Sequence, residues 1–419
     1  MLSRPISHAG VRQLLLIVVY LLAAASSFSG YFTKWHLRDG MGYASLPKML
    51  DGAADRPYVY RQLMPLLANG VERALPDGVR QRVNTLLLDD DPSHHPIARF
   101  YAGTPDSRDP RYALRYYLVY AMAFGALLLA LFALRGVCRD LGADPVAAAL
   151  APLAFALILP LLMCEGGYFY DLSELLFMAL AVRCALRGRF VALAILTALA
   201  TFNKESFLFF VLMLYPFLRA SLPVRATLGV QGLLVGVAAV VNLLVKAHYA
   251  DNPGGVVQFH LWENLAYLAT PSSYWRVEYN YGIPVAGGFN ALNLLLLFVL
   301  VRTAWPRLPG MMRQSLLIGV AVNVPLFLAF CYHDELRNFS LLYVGFVMIL
   351  CATIAASIEA AYQAHAEKTR DARNASGAEM GGRRFVLAST RGDEVVNAAQ
   401  RERVRNAKRR SESAAASSS

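Results

Sequence analysis

Long apolar runs separated by short polar ones dominate the chain. A helix crosses the ~30 Å hydrocarbon core of a bilayer with about 20 residues. On that measure the pattern predicts about ten spans, over residues 11–32, 113–135, 145–163, 170–186, 189–203, 206–218, 226–248, 286–303, 314–332 and 338–363. The fourth, fifth and sixth are short for complete crossings, which makes them tilted, partly re-entrant or broken around Asn203-Lys204. The expected fold class is all-α, a polytopic integral membrane protein. The first run, Leu14 to Tyr31, follows a short basic stretch containing Arg4 and Arg12. It is long for a signal-peptide core and no small-x-small site closes it, so it reads as a retained first span.

The polar connections divide into two kinds. Those holding Arg135/Arg139, Arg183/Arg187/Arg189, Arg219/Arg225 and Arg302/Arg307/Arg313 are short and basic, and alternation puts them on one side with both termini. Basic short loops mark the cytoplasmic face. The other face receives a loop of about 80 residues, Thr33 to Arg111, then Cys164 to Asp171, Asn203 to Ser206, the Tyr/Trp/Asn-rich 249–285 loop and His333 to Arg337. Five polar clusters thus converge on the exoplasmic side, and intramembrane charge is costly enough to point to function. Within the first loop, Tyr60 to Leu75 carries apolar residues at near-helical spacing, as in a helix lying in the membrane interface. Asp89-Asp90-Asp91-Pro92 and His94-His95-Pro96 read as an exposed turn. The chain divides into a transmembrane domain, 1–363, with its exoplasmic loop over 33–112, and a basic tail, 364–419, whose Ala/Ser/Arg/Glu composition predicts disorder in the cytoplasm.

Composition sharpens this picture. Of 419 residues 57% are hydrophobic and 16% charged, which excludes a soluble globular enzyme, a disordered protein and a coiled coil. The net charge of +11 sits in the short connections and in Arg401, Arg403, Arg405, Lys408, Arg409 and Arg410. That distribution is an orientation signal with affinity for anionic membrane lipids, and no nucleic-acid partner is expected. The five cysteines form no CxxC or Cys/His spacing; a Cys164–Cys331 disulfide is conceivable, and buried thiols are favoured over it.

Several residues could carry chemistry. Asp39 lies just beyond the first span, where partial desolvation suits a general base, though a solvated interfacial Asp has the same position. Arg61, flanked by tyrosines, can present its planar fork to a phosphate or snorkel to lipid phosphates. Glu165, Asp171 and Glu174 surround one membrane entrance, able to bind a cation, orient a sugar or pair with basic residues; helix capping also explains Asp171. Asn203-Lys204-Glu205 sits between apolar runs, with Lys204 either paired to Glu205 or aimed at a lipid-linked phosphate. Glu335 and Arg337 form a structural or phosphate-facing pair, and the near-contiguous His333-Asp334-Glu335 lacks the i, i+4 spacing of a helical zinc site. No P-loop, GxGxxG or nucleophile elbow is present. No cofactor is called for, although a divalent cation is compatible with the carboxylates.

Asp39, Tyr43, Gly52, Pro57-Tyr58, Tyr60-Arg61 and Pro65-Leu66-Leu67 follow the first span in an order that resembles the start of polytopic GT-C-type glycosyltransferases, especially their bacterial members. Tyr170-Asp171-Leu172, Asn203-Lys204-Glu205 and Glu335-Leu336-Arg337 also look like landmarks of such proteins, so the layout is shared over 11–363. The resemblance implies a many-helix fold with interfacial helices in the first exoplasmic loop, and a polyprenyl-phosphate sugar as donor. It implies Asp39 as the base and Arg61 as the phosphate holder. The candidate substrate-binding residues are then Tyr58, Arg61, Glu165, Asp171, Glu174, Asn203, Lys204, Glu205, Glu335 and Arg337. Many members carry a paired acidic motif near the first span, whereas Asp39 stands alone in Arg38-Asp39-Gly40. The expected activity is transfer of a sugar to an envelope glycan, lipid or protein acceptor, in the cell inner membrane. The alternative is a transporter or flippase of a lipid-linked or small polar substrate; a polymerase, ligase or acyltransferase and a silent lipid-binding relative are further readings.

Overall fold

A computed structural model describes residues 8–88, 91, 95, 97–255, 258–370 and 405. The tail expected to be disordered from residue 364 is helical over 364–370, and its remainder except Arg405, like most of the turn around Asp89 to Pro96, lies outside the described residues. Two compact units are distinguished, Met1–Ala355 and Ala356–Ser419. The candidate site described below lies wholly in the first.

The chain is built of helices. The first, α1 (His8–Trp35), leads into a loop region holding α2 (Leu46–Leu50), α3 (Leu63–Ala74) and α4 (Asp77–Leu87). Then come α5 (Ala113–Asp140), α6 (Pro145–Leu162), α7 (Phe169–Leu186) and α8 (Phe190–Asn203). They are followed by α9 (Phe207–Met213), α10 (Tyr215–Arg219), α11 (Val224–His248) and α12 (Leu261–Ala269). A two-stranded antiparallel hairpin, β1 (Val277–Asn280) and β2 (Ile283–Ala286), pairs Val277 with Ala286 and precedes α13 (Ala291–Ala304) and α14 (Gly310–Phe330). The last helix, α15 (Leu336–Arg370), opens with a 3-10 turn over Leu336–Leu342.

Among the described residues, six helices are long and apolar enough to cross a membrane: α1, α5, α6, α11, α14 and α15. The protein is therefore an all-α membrane protein, but ten full crossings are not confirmed. The shortfall has local causes. Helices α8 and α13 have 14 residues each and rise only about 21 Å. The predicted 206–218 span breaks after Leu214, next to Pro216, into α9 and α10. Helix α7 has 18 residues but carries Asp171, Glu174 and Arg183.

The outward surfaces match a lipid solvent. Leu228, Leu243 and Leu244 on α11 and Leu292, Leu295 and Phe298 on α13 are exposed, a distribution that water would penalise and a bilayer accepts. Inside, α5 and α7 make the most extensive helix pairing among the described residues. Small side chains on both, Ala123, Ala126 and Ala130 against a partner with Ala179 and Ala185, are buried and permit close approach. Asp144 caps α6 by accepting from the backbone N–H of Val146 and Ala147, with Pro145 at the first helical position. At the far end of the α5–α7 pair, Asp140 bridges Arg183 and Arg187 at 2.9 and 2.7 Å.

The interfacial helix expected over 60–75 is α3. It buries Met64 and Ala68 and leaves Leu66, Leu67 and Val71 outward. It is tied to α2 by Asn69, whose amide donates to the Leu50 carbonyl at 2.8 Å.

Candidate functional site

The C-terminal ends of α1, α8, α11 and α14 and the N-terminal ends of α7 and α15 contribute to one cavity of about 720 Å³. Its lining includes polar and aromatic side chains, Arg38, Tyr58, Arg61, Tyr168, Lys204, Glu205, Glu335 and Arg337. It also includes apolar ones, Leu208, Phe209, Leu326, Phe327, Phe330 and Leu341. Lys246 of α11 and Glu165 complete the rim.

The break between α8 and α9 creates much of the polar lining. Lys204 is extended, at φ −160° and ψ 127°, and ends α8. Helix α7 holds this kink: Asn203 donates to the Tyr170 carbonyl at 2.9 Å, and Ser173 donates to the Asn203 amide oxygen at 2.6 Å. Lys204 turns back to α7, 2.9 Å from Asp171 and 2.7 Å from Glu174. Asp171 also accepts from the Tyr168 backbone N–H at 3.0 Å, so the capping and ion-pairing roles expected of it coincide. Asp171 and Glu174 do not line the cavity; they hold Lys204, which does.

Glu205, next in sequence, pairs with the first loop. Arg61 Nε and Nη2 reach its two carboxylate oxygens at 3.2 and 2.7 Å, and Nη1 donates to the Tyr170 hydroxyl at 2.6 Å. The Arg61 fork is thus occupied. Burial acts to raise the Glu205 carboxyl, but the Arg61 charge outweighs it and holds the group below its ordinary value. The anticipated Lys204–Glu205 pair is replaced by two separate pairs in opposite directions.

Arg337 donates to Glu335 and lies 3.4 Å from both Asp171 oxygens, with its guanidinium 4.7 Å from the Tyr168 ring centre. Its buried Nε has no hydrogen-bond partner. Arg38 was not anticipated as a site residue, yet it lines the cavity and stacks on Trp35 and Tyr168 at 4.6 and 4.0 Å. Nothing in its position after the first span distinguishes it from a membrane-edge anchor; the signal is three-dimensional. Its backbone φ is +66°, a conformation that costs a non-glycine residue energy and fixes the guanidinium at the cavity wall.

Asp39 faces elsewhere. Its carboxylate accepts from the Leu37 and Asp106 backbone N–H groups at 3.3 and 3.2 Å and from the Tyr116 hydroxyl at 2.7 Å. It does not line the cavity. Burial raises its carboxyl above the ordinary value, against the opposing pull of these hydrogen bonds. The structure therefore brings Tyr58, Arg61, Glu165, Lys204, Glu205, Glu335 and Arg337 to the cavity, places Asp171, Glu174 and Asn203 behind it, and leaves Asp39 beside it.

A second network closes one edge. Arg276 joins Glu165 and Asp334, the latter at 3.1 Å and fully buried. Tyr267 donates to the same carboxylate. The loop carrying α12 and the hairpin is thereby fastened to the α6–α7 connection and to the turn before α15. All five cysteines are free thiols. Among the described residues, no three His, Cys, Asp or Glu side chains converge as a metal site.

No family model, curated protein or solved structure matches the chain.

Proposed function

We propose that the protein is a GT-C-type membrane glycosyltransferase, moving a sugar from a polyprenyl-phosphate donor to an envelope acceptor at the exoplasmic face of the inner membrane. The observation that carries this reading is the mixed lining of the cavity. Its cationic and aromatic side chains suit a phosphate and a sugar, and Phe209, Leu326, Phe327 and Phe330 in the same lining suit an isoprenoid chain. Both termini would be cytoplasmic, with the basic connections at the cavity's far end facing in.

In this reaction a carboxylate removes the proton from the acceptor hydroxyl, whose oxygen then attacks the anomeric carbon. The bond from that carbon to the phosphate oxygen breaks, and polyprenyl phosphate departs with one further negative charge. Guanidinium and ammonium groups on the cavity wall stabilise that charge as it develops. Two carboxylates compete for the base. Asp39 has the position the family resemblance implies, next to the cavity-lining Arg38. Glu335 is favoured by a separate observation: unlike Asp39 it lines the cavity, while the other lining carboxylates, Glu165 and Glu205, are engaged by Arg276 and Arg61 away from the Arg38–Arg337 pair.

A transporter would need a polar route onward to the far face. Beneath the site the core is filled by apolar side chains such as Val182, Phe210, Val211 and Leu214, which supports an enzyme over a transporter. The test uses purified protein in lipid nanodiscs with a panel of polyprenyl-phosphate sugars and an envelope acceptor extract, following release of polyprenyl phosphate. Sugar-dependent release is expected, abolished in whichever of Asp39→Asn and Glu335→Gln removes the base. Absence of release with every donor, from well-folded protein, refutes the transferase.

A further inference from the structure

We infer that Arg38 and Arg337, meeting over Tyr168 and Gly166, form the seat for a phosphate anion in the cavity. The lipid-linked identity of this phosphate rests on the transferase reading above; the seat itself rests on geometry alone.

Pairing separates the cations of the polar lining. Lys204 has two carboxylates, and Arg61 has Glu205 in a two-point bond. Arg38 is 8% exposed and has no carboxylate or hydrogen-bond acceptor among the described residues. A guanidinium removed from water without a counter-charge is costly unless a ligand supplies one. The neighbouring carboxylate of Asp39 is taken by Tyr116 and two backbone N–H groups and does not supply it.

Arg337 contributes the second half. Its Nη atoms serve Glu335 and Asp171, which leaves Nε, buried and unpartnered. Both guanidiniums lie on the Tyr168 ring, at 4.0 and 4.7 Å from its centre. Gly166 shows how close they come. A Cβ at that position would stand 2.7 Å from Arg38 Nη2 and 3.3 Å from Arg337 Nε. Glycine is needed there because a methyl group would clash with Arg38. Gly166 also has φ +133°, which favours glycine there. Two planar donors held this close together match the several oxygens of a phosphate better than a single-point anion. A bound phosphate would also relieve the repulsion between them.

The test measures binding by calorimetry in nanodiscs, with geranyl phosphate, inorganic phosphate and geraniol as probes. Wild type is expected to bind geranyl phosphate and not geraniol. Arg38→Gln should weaken that binding about tenfold or more, and Arg38→Lys, which keeps charge but loses the fork, should fall between them. Gly166→Ala, whose methyl would push Arg38 Nη2 aside while leaving both arginines, should also weaken it. Arg61→Gln should cost less than Arg38→Gln, because its fork is already occupied. Thermal unfolding of each variant identifies misfolded protein, and Arg38→Lys carries the test if Arg38→Gln does not fold. Wild type that binds neither anion, or Arg38 variants that retain full affinity, overturn the seat. Inorganic phosphate bound as tightly as geranyl phosphate keeps the seat and removes its lipid-linked ligand. Geranyl phosphate binding lost with Arg38, in protein that transfers no sugar, keeps the seat and refutes the transferase.

Discussion

Arg61 and Glu205, 144 residues apart, meet in a two-point hydrogen bond at 3.2 and 2.7 Å. The contact fastens the loop after α1 to the break between α8 and α9, and so fixes two sides of the cavity at once. Arg61→Ala and Glu205→Ala should each lower stability by about 2 kcal/mol, the range for hydrogen bonds to charged groups. Removing either partner strands the other, so the double variant Arg61→Ala/Glu205→Ala should lose less than the sum. Thermal unfolding of the four proteins in detergent measures the coupling. Strictly additive losses would show that the pair has no joint role.

Lys204 stands between Asp171 and Glu174 at 2.9 and 2.7 Å, and all three side chains are almost wholly buried. Lys204→Met leaves two carboxylates without their ammonium, at a cost of about 3 kcal/mol or more. Asp171→Asn should be milder, since Glu174 still pairs with the lysine. Lys204→Met/Glu174→Gln should recover part of the loss. Expression level and unfolding midpoint report the order; a Lys204→Met protein as stable as wild type would refute the structural role of the triad.

The apolar pattern located the helices well because lipid exposure writes them into long runs. The 145–163 and 170–186 readings differ by a residue from α6 and α7. Its ten crossings are not confirmed, because it counts apolar residues and cannot see that Pro216 divides one run or that α8 and α13 stop after 14 residues. Cavity residues were legible wherever a charge interrupts an apolar run, as at Lys204-Glu205 and Arg337. Their partners were not, because pairing depends on which helix ends meet in space. Lys204 and Glu205 are adjacent in sequence, yet Lys204 turns to α7 and Glu205 to Arg61 in the loop after α1. Arg38 was hidden for the converse reason. It sits where a membrane-edge anchor belongs, and only its stacking on Trp35 and Tyr168, without a carboxylate, sets it apart.

Asp106 and Asp39 set a pH dependence. Burial, followed by the nearby Asp39 charge, raises the Asp106 carboxyl from 3.8 to about 6. The folded state then binds more protons than the unfolded state between those values, so this contribution to stability is fully present below about pH 4 and is lost as pH rises through about 6. Asp39, shifted in the same direction by burial, adds to the same slope. Asp106→Asn should flatten the dependence between pH 4 and 6 and raise the unfolding midpoint at pH 7 relative to wild type. An unchanged slope in the variant would remove Asp106 as its source.

Orientation can be read by labelling from one side of the membrane. Asp77 begins α4 in the loop after α1, and its side chain is 89% exposed. Arg307 is exposed in the short basic turn between α13 and α14, at the end of α14 away from the cavity residues Phe327 and Phe330. The positive-inside rule puts Arg307 in the cytoplasm and Asp77 outside. In a background with the five native cysteines replaced, Asp77→Cys in intact cells should react with an impermeant maleimide, and Arg307→Cys should react only after permeabilisation. The reverse pattern would turn the cavity to the cytoplasm. A polyprenyl-phosphate donor presented on the outer leaflet could then no longer reach the Arg38 wall, and the exoplasmic transferase would fall with the orientation.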